Sequence, residues 1–494
     1  MNLLSIFSFN LLSEDLLLFS SILIFVAVMV SKLGSKFGVP SLFLFLLVGM
    51  AAGEDGLGMQ FDEYEIAESI GHFAMTIILF TAGLQTSMEE TKPVFKKGVL
   101  LSSLGVLLTV TLTGFFIYFV FRGSAGITLI ACFLLASIMG STDSASVFSV
   151  LRSKKLHLRE NLGELLELES GSNDPMALTL TVISVKLITT PGIQDESGAV
   201  VLSAALIVLA LQVVVGILVG VGVGFAAKSI LNKIELPNFA LYSVLMLSIG
   251  FFANGVSSLL HGNGLLSLYI AAIIIGNKVK LPRRKEVISF FDGITWLMQL
   301  VMFLMLGLLA NPSDMPSIIL PALLIGAFLM FVARPLSIFI CLLPFRGLTT
   351  RAKLFTSWVG LKGAGPILFA LCPVVAGVDR GDDMFNMVFV ITLFSLLVQG
   401  SSIPAAARAL KLCYDEDPNV ETFGMDLPEE MGMLRDHTVT EADVEFAPTL
   451  REMGLPHGIR VVMVRRENKF LVPHGSMKLQ AGDHLVIVMG ESDD

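Results

Sequence analysis

The segment ELESGSNDP, residues 167–175, places Glu167, Glu169 and Asp174, with Ser170 and Asn173, inside an otherwise apolar run. On a helix Ser170 and Asp174 are four apart and share one face, as do Glu169 and Asn173, so two polar stripes run side by side. One helix thereby offers a carboxylate with neutral oxygen ligands beside it, a group that can hold a proton or a small cation. An ionisable side chain at mid-bilayer costs at least about 2.5–3.5 kcal/mol on insertion scales, so it faces a cavity or a partner and marks a pathway. The alternative is a polar contact between helices, but several carboxylates at one depth exceed what packing needs.

Two further polar interruptions stand elsewhere. In GSTDSAS, residues 140–146, Gly140, Ser141, Thr142, Asp143 and Ser144 bring a poor helix former and several competitors for backbone hydrogen bonds into an apolar stretch. In GLKGAGP, residues 360–366, Gly360, Gly363, Gly365 and Pro366 surround Lys362. Interrupted helices at corresponding positions of inverted halves point to a transport site at the membrane midplane, where freed carbonyls coordinate a cation and a lysine neutralises opposing helix ends. Arg334 is another charge at membrane depth. Its expected partner is Glu169, which leaves Asp174 free to titrate; the alternative is an arginine snorkelling to the interface. Glu164 and Glu167 fit either a solvated funnel or an exposed helix end.

The elements that must position these groups follow from composition. Of 494 residues, 54% are hydrophobic and only 15% charged, with a mean hydropathy of +0.80, against about 25% charged in soluble chains. The expectation is an all-α polytopic membrane protein. Cutting apolar runs at Gly, Pro and charge clusters predicts thirteen spans, at 15–31, 40–53, 66–86, 98–121, 127–151, 160–187, 198–226, 238–259, 264–277, 292–310, 316–343, 351–377 and 384–410. Lysine and arginine crowd the loops after odd-numbered spans, whereas loops after even-numbered spans carry almost none beyond Arg122 and Arg380. The positive-inside rule then sets the N-terminus outside and the C-terminus in the cytoplasm. The broken spans, fifth and twelfth, cross in opposite directions. The N-terminus lacks a basic leader and a small-residue cleavage site, so no removed signal peptide is expected.

Other chemistry finds little support. The four cysteines and seven histidines show no metal-ligand or disulfide spacing, and no G-x-x-x-x-G-K-[ST] loop offers a phosphate cradle. Neither an enzyme nor a primary pump is expected, and no cofactor or nucleic acid. GILVGVGVG, within the seventh span, reads as close helix packing. From Tyr414 an acidic linker leads into short β-like runs, RVVMVRRENKFLVP and DHLVIVMG. This predicts a small β-rich cytoplasmic domain, marginally stable alone and therefore expected to dock or dimerise.

GSTDSAS, ESGSNDP, Arg334 in VARP and GLKGAGP together resemble the NhaP-type members of the monovalent cation/proton antiporter-1 family. The resemblance implies a thirteen-helix, NhaA-like inverted-repeat fold with two broken crossing helices, a dimerisation domain beside a moving core, a homodimer and alternating access. Carried over, it implies that Asp174 binds cation or proton and that Thr142 through its backbone, Ser170 and Asp143 complete the site. Asn173 and Glu169 form a supporting network with Arg334. Many members have arginine where Lys362 stands and an acidic residue where Thr81 stands. The tail, residues 438–491, resembles a TrkA C-terminal (RCK-C) domain, which implies an unidentified small-molecule regulator and tilts the cation toward K⁺ over Na⁺.

The expected organisation is an exchange domain at 1–413, an acidic linker at 414–437 and a regulatory domain at 438–494, in a bacterial inner membrane among lipid. The expected function is K⁺/H⁺ antiport serving pH and cell-volume homeostasis. It is expected to be 1:1 and electroneutral, because Asn173 precedes Asp174 where electrogenic relatives commonly present two adjacent aspartates. The rivals are an RCK-regulated K⁺ channel, for which no TVGYG-type filter segment occurs, and another ion-coupled carrier, which leaves the acidic cluster at 164–174 unexplained.

Overall fold

The computed structural model describes residues 14–415 and 434–489, apart from 38–39, 60, 62, 126–127, 155, 194–196, 239, 281–282, 346, 441–442, 445–446, 454–458 and 467–468. The chain divides into two compact units, Met1–Tyr414 and Asp415–Asp494.

The first unit is built of helices: α1 (Glu14–Phe37), α2 (Ser41–Ala52), α3 (Tyr64–Gln85), α4 (Phe95–Phe121), α5 (Leu129–Ile138), α6 (Ser144–Ser153), α7 (Leu162–Thr189), α8 (Gly198–Leu231), α9 (Ala240–Leu259), α10 (Gly264–Lys278), α11 (Arg284–Leu308), α12 (Ile319–Cys341), α13 (Thr350–Trp358), α14 (Ala364–Val375, with a break in the helix at Ala370) and α15 (Gly381–Ala409). Among the described residues seven of these, α3, α4, α8, α9, α11, α12 and α15, are long and apolar enough to cross a membrane. Of the six expected spans beyond these seven, α1 has only a short apolar stretch, Leu18–Lys32, and the other five have physical reasons for falling short. α7 is long at 28 residues but polar at its centre, α5 with α6 and α13 with α14 are each interrupted, and α2 and α10 are apolar but short.

Packing sorts the helices into two groups. α10 packs on α3, α8 and α9, and α11 on α2 and α3. Separately, α5 packs on α4 and α7, and α12 on α15. α7 and α14 touch both groups, α7 through α8 and α10, α14 through α3 and α15. In a lipid solvent close backbone approach replaces much of the hydrophobic drive between helices. Gly216, Gly220 and Gly224, spaced by four, turn one face of α8 onto α10: a Cβ at these positions would lie 2.9 Å from Asn263 O, 2.6 Å from Ser267 O and 2.9 Å from Ile274 Cδ1. The expected packing role of GILVGVGVG thus belongs to these positions, whereas Gly222 faces open space.

The second unit contains an antiparallel sheet in the order β1 (Leu434–Thr438), β4 (His484–Met489), β2 (Ile459–Arg466), β3 (Lys469–Leu471). Val439, Val464, Leu479, Leu485 and Ile487 form its small core. Gly482 adopts φ +91° in the turn before β4, a conformation that favours glycine. The buried Asp483 that follows accepts Arg466 Nε at 2.8 Å and Nη2 at 2.7 Å. Residues 416–433 of the expected linker lie outside the described residues. Leu434–Thr438, placed by sequence at the linker's end, is already a strand paired to β4.

The glycine stripe generates a stability prediction. Gly220→Val drives a side chain into the Ser267 carbonyl and should lower thermal stability by about 1–3 kcal/mol, while Gly222→Val should be close to neutral. Equal melting temperatures for the two variants would contradict this packing.

Candidate functional site

α7 carries the polar segment at its middle. Pro175 removes a backbone N–H there, so the helix loses one internal hydrogen bond. The Pro175 carbonyl accepts from Thr179 Oγ1 of the same helix and, from outside, from Asn263 Nδ2, at 2.8 Å each. Gly171, one turn earlier, admits Tyr269 of α10, whose hydroxyl would lie 2.6 Å from an added Cβ.

The α5/α6 interruption faces this segment. α5 ends at Ile138, residues 140–143 leave the helical path, and Asp143 caps α6 by accepting from Ser146 N at 3.2 Å and from the Ser146 hydroxyl. Asp174 Oδ1 accepts a hydrogen bond from the Ser141 hydroxyl. Ser170 Oγ donates to Thr142 O at 2.8 Å and accepts from Ser144 N at 3.0 Å. Asn173, fully buried, accepts from Thr142 N at 3.5 Å and donates to the Thr142 hydroxyl. Asp174 and Asp143 remain half-buried among these closed-off partners. The arrangement offers carboxylate, hydroxyl and carbonyl oxygens, the donor types that suit a hard monovalent cation, beside a carboxylate able to take a proton instead.

The second interruption, between α13 and α14, crosses the first. Asp143 N donates to Leu361 O at 2.8 Å. The buried Lys362 directs Nζ to Met139 O at 2.6 Å and Ser141 O at 2.8 Å, so its charge lies against the carbonyl end of α5. Its own N–H donates to Ser395 Oγ at 3.0 Å. A Cβ on Gly363 would fall 2.5 Å from Asp143 Oδ2, and one on Gly365 3.0 Å from Ser141 Oγ and 3.5 Å from Asp174 Oδ1. Only side-chain-free positions let the start of α14 come this close.

Arg334 and Glu169 form a buried ion pair, Nη2 to Oε1 at 2.6 Å. Arg334 follows a π-helical turn, Leu329–Ala333, the kind of local widening that re-aims a side chain. Gly360 makes room for the guanidinium, an added Cβ falling 2.8 Å from Arg334 Nε.

The structure thus brings together Asp174, Ser170, Thr142, Asp143, Asn173 and Lys362, and sets Glu169 with Arg334 on another side of α7. Glu167 accepts from Thr86 Oγ1 at 3.3 Å and is half-buried, as is Glu164. Thr81 accepts from Thr295 Oγ1 at 2.9 Å. Sequence reasoning named Ser141 only as part of a break and missed Ser395 and Gln399. Ser395 Oγ donates to Gln399 Oε1 at 2.6 Å, and Gln399 Nε2 donates to Trp358 O, the carbonyl end of α13, at 2.8 Å. Gln399 lies in a second π turn, Leu396–Gly400. An amide late in an apolar span was the available signal.

Comparison with known proteins agrees with this architecture. Residues 20–409 match the family described as sodium/hydrogen exchanger, transmembrane, and residues 449–493 match the TrkA-C domain. The chain is 36% identical over 474 residues to the K(+)/H(+) antiporter NhaP2 of Shewanella oneidensis, covering 95% of this chain and 80% of that protein. It is 35% identical over 482 residues to the K(+)/H(+) antiporter NhaP of Alkalimonas amylolytica, covering 96% and 80%. In fold it is similar to the sodium proton antiporter MjNhaP1 of Methanocaldococcus jannaschii, with a TM-score of 0.68 and 22% identity over 79% of this chain and 97% of that one. The chain belongs to the sodium/hydrogen exchanger family of membrane cation/proton antiporters.

Proposed function

We propose that this antiporter exchanges K⁺ for H⁺ at Asp174, one ion for one proton. The observation that carries the reading is the Asp174 carboxylate set against Ser141, Ser170 and Thr142 at two crossed helix breaks. A carboxylate removed from water is stabilised by a proton or by a cation, so the two compete for the same oxygens. Ser170, Thr142 through its backbone and Asp143 supply the remaining cation ligands, while Asn173, Glu169, Arg334 and Lys362 hold the frame. The preference for K⁺ is supported by the printed activities of the relatives at 35–36% identity and by the TrkA-C match.

The same reading gives the chain thirteen spans in an inverted-repeat, NhaA-like arrangement, with the N-terminus outside and the C-terminus in the cytoplasm. It works as a homodimer in a bacterial inner membrane, with residues 1–413 as exchange domain, 414–437 as linker and 438–494 as a regulatory domain for a small molecule. The protein performs no enzymatic step and needs no cofactor.

Dye-monitored proton flux in proteoliposomes, with K⁺, Na⁺, Rb⁺ and Li⁺ presented separately, tests both activity and preference. Asp174→Asn should reduce cation-driven flux to the protein-free background while the protein still purifies as a folded dimer. Substantial residual flux in that variant would remove Asp174 from the exchanging role.

The supporting pair is tested by stability. Arg334→Ala strands the Glu169 charge and should cost about 3–5 kcal/mol, whereas Arg334→Ala with Glu169→Gln should cost clearly less. Strict additivity in the thermal double-mutant cycle argues against a coupled pair.

Stoichiometry is tested by voltage. If Asp174 alone alternates between one proton and one monovalent cation, both half-cycles move equal charge. Exchange should then keep its rate under an imposed membrane potential, with a reversal point set by equal ratios of the two ions. A reversal point that moves with voltage would reveal a second proton and point to Asp143 or Glu169 as its carrier.

A further inference from the structure

Glu68 and His72 stand four residues apart on α3 and so share a face, and Cys372 of α14 meets them there. The carboxylate oxygen, imidazole nitrogen and thiol sulfur all lie within 4.8 Å of one another. Glu68 Oε1 is 4.0 Å from His72 Nε2. None of the three touches the exchange site described above. Their juxtaposition is fixed by packing: Gly71 admits Leu368 of α14, whose Cδ1 would lie 2.1 Å from an added Cβ. Thr76, one turn on from His72, is tied to Asn254 of α9 at 3.1 Å.

One oxygen, one nitrogen and one sulfur donor match the ligand set of zinc and its borderline-soft neighbours, with a fourth position left for water. At zinc bond lengths tetrahedral donors stand roughly 3.3–3.8 Å apart, so side-chain adjustment of roughly 1 Å closes the set. The side chains of His72 and Glu68 are 40% and 23% exposed. His72 also lines a cavity of about 290 Å³ together with Thr179, Lys186 and His261. The Lys186 charge opposes a hard cation held by charge alone, whereas a zinc-class ion is held by its nitrogen and sulfur donors.

We propose that Glu68, His72 and Cys372 bind one zinc-class divalent ion, which ties α3 to α14 and so slows exchange. Binding releases the thiol proton to water. The slowing rests on the exchange reading: α14 begins at the break that faces Asp174, and pinning it to α3 restrains the movement by which the site changes sides. In the proposed orientation the cluster opens outward.

The test uses the purified full-length protein titrated with Co²⁺ as a spectroscopic probe, followed by Zn²⁺ competition. One Co²⁺ per chain should bind with a thiolate charge-transfer band, Zn²⁺ should displace it, and the band should vanish in Cys372→Ser and in His72→Ala. In proteoliposomes external Zn²⁺ should slow exchange by the unmodified protein, a chelator should restore it, and Cys372→Ser should exchange at the same rate with or without zinc. A band that survives in Cys372→Ser, or no stoichiometric Co²⁺ binding, overturns the site. Equal slowing of both proteins by Zn²⁺ overturns the clamp. An absence of cation-driven flux before any zinc is added would instead sink the exchange reading, and the Co²⁺ titration would still decide the site.

Discussion

An ammonium group and a broken helix are each costly inside a membrane, and here each resolves the other. Ending α5 at Ile138 leaves carbonyls without intrahelical donors, which lipid cannot satisfy. Lys362 has N–H groups and a charge that need acceptors, and it spends them on Met139 O and Ser141 O. That contact requires the α13/α14 break to cross the α5/α6 break, and the Asp143 N to Leu361 O bond closes the crossing. Once the crossing is set, Ser141 is held where its hydroxyl meets Asp174, and Thr142 where it meets Ser170 and Asn173. A substitution at Lys362 therefore disturbs the oxygens proposed as cation ligands without touching them directly.

The glycines of GLKGAGP follow from the same crossing. Gly360 faces Arg334 and Gly363 faces Asp143 at distances that exclude an unshifted Cβ, and Gly365 faces Ser141 at a distance where a Cβ would be tight. Three positions on one interruption thus admit polar side chains from three other helices. Behind them Ser395 and Gln399 satisfy the Lys362 N–H and the Trp358 carbonyl. The π turns at Leu329–Ala333 and Leu396–Gly400 locally shift the helix phase, letting Arg334 and Gln399 point inward from otherwise apolar helices.

Much of this site was legible because polarity inside an apolar run has few inexpensive explanations. GSTDSAS, ELESGSNDP and GLKGAGP stand out by hydropathy alone, and fourfold spacing pairs Ser170 with Asp174. The details that depend on helix phase and crossing angle were not legible. Ser141 could not be separated from its neighbours in the break, and nothing in LLVQG announces a π turn. The Leu434–Thr438 strand escaped notice because LRDHT lacks a clear apolar alternation; its identity as a strand comes from pairing with HLVIVM. Glu68, His72 and Cys372 show no ligand spacing along the chain because 300 residues separate the last two, and only packing of α14 on α3 joins them.

Glu169 and Asp174 show how one helix divides two carboxylates between different tasks. Five residues turn a helix by roughly 140°, so Glu169 reaches Arg334 on one side while Asp174 faces the breaks on another. Glu169 has a full opposite charge at 2.6 Å. Asp174 has a hydroxyl partner, which satisfies a lone pair but cancels no charge, and the nearby Lys362 is committed to carbonyls. On the proposed reading, an empty, ionised Asp174 is the state least suited to cross a water-excluding barrier, while its protonated and cation-bound states are both neutral at that carboxylate. In the exchange proposed at Asp174, the penalty on that empty carrier keeps either ion from leaking alone and couples the two fluxes.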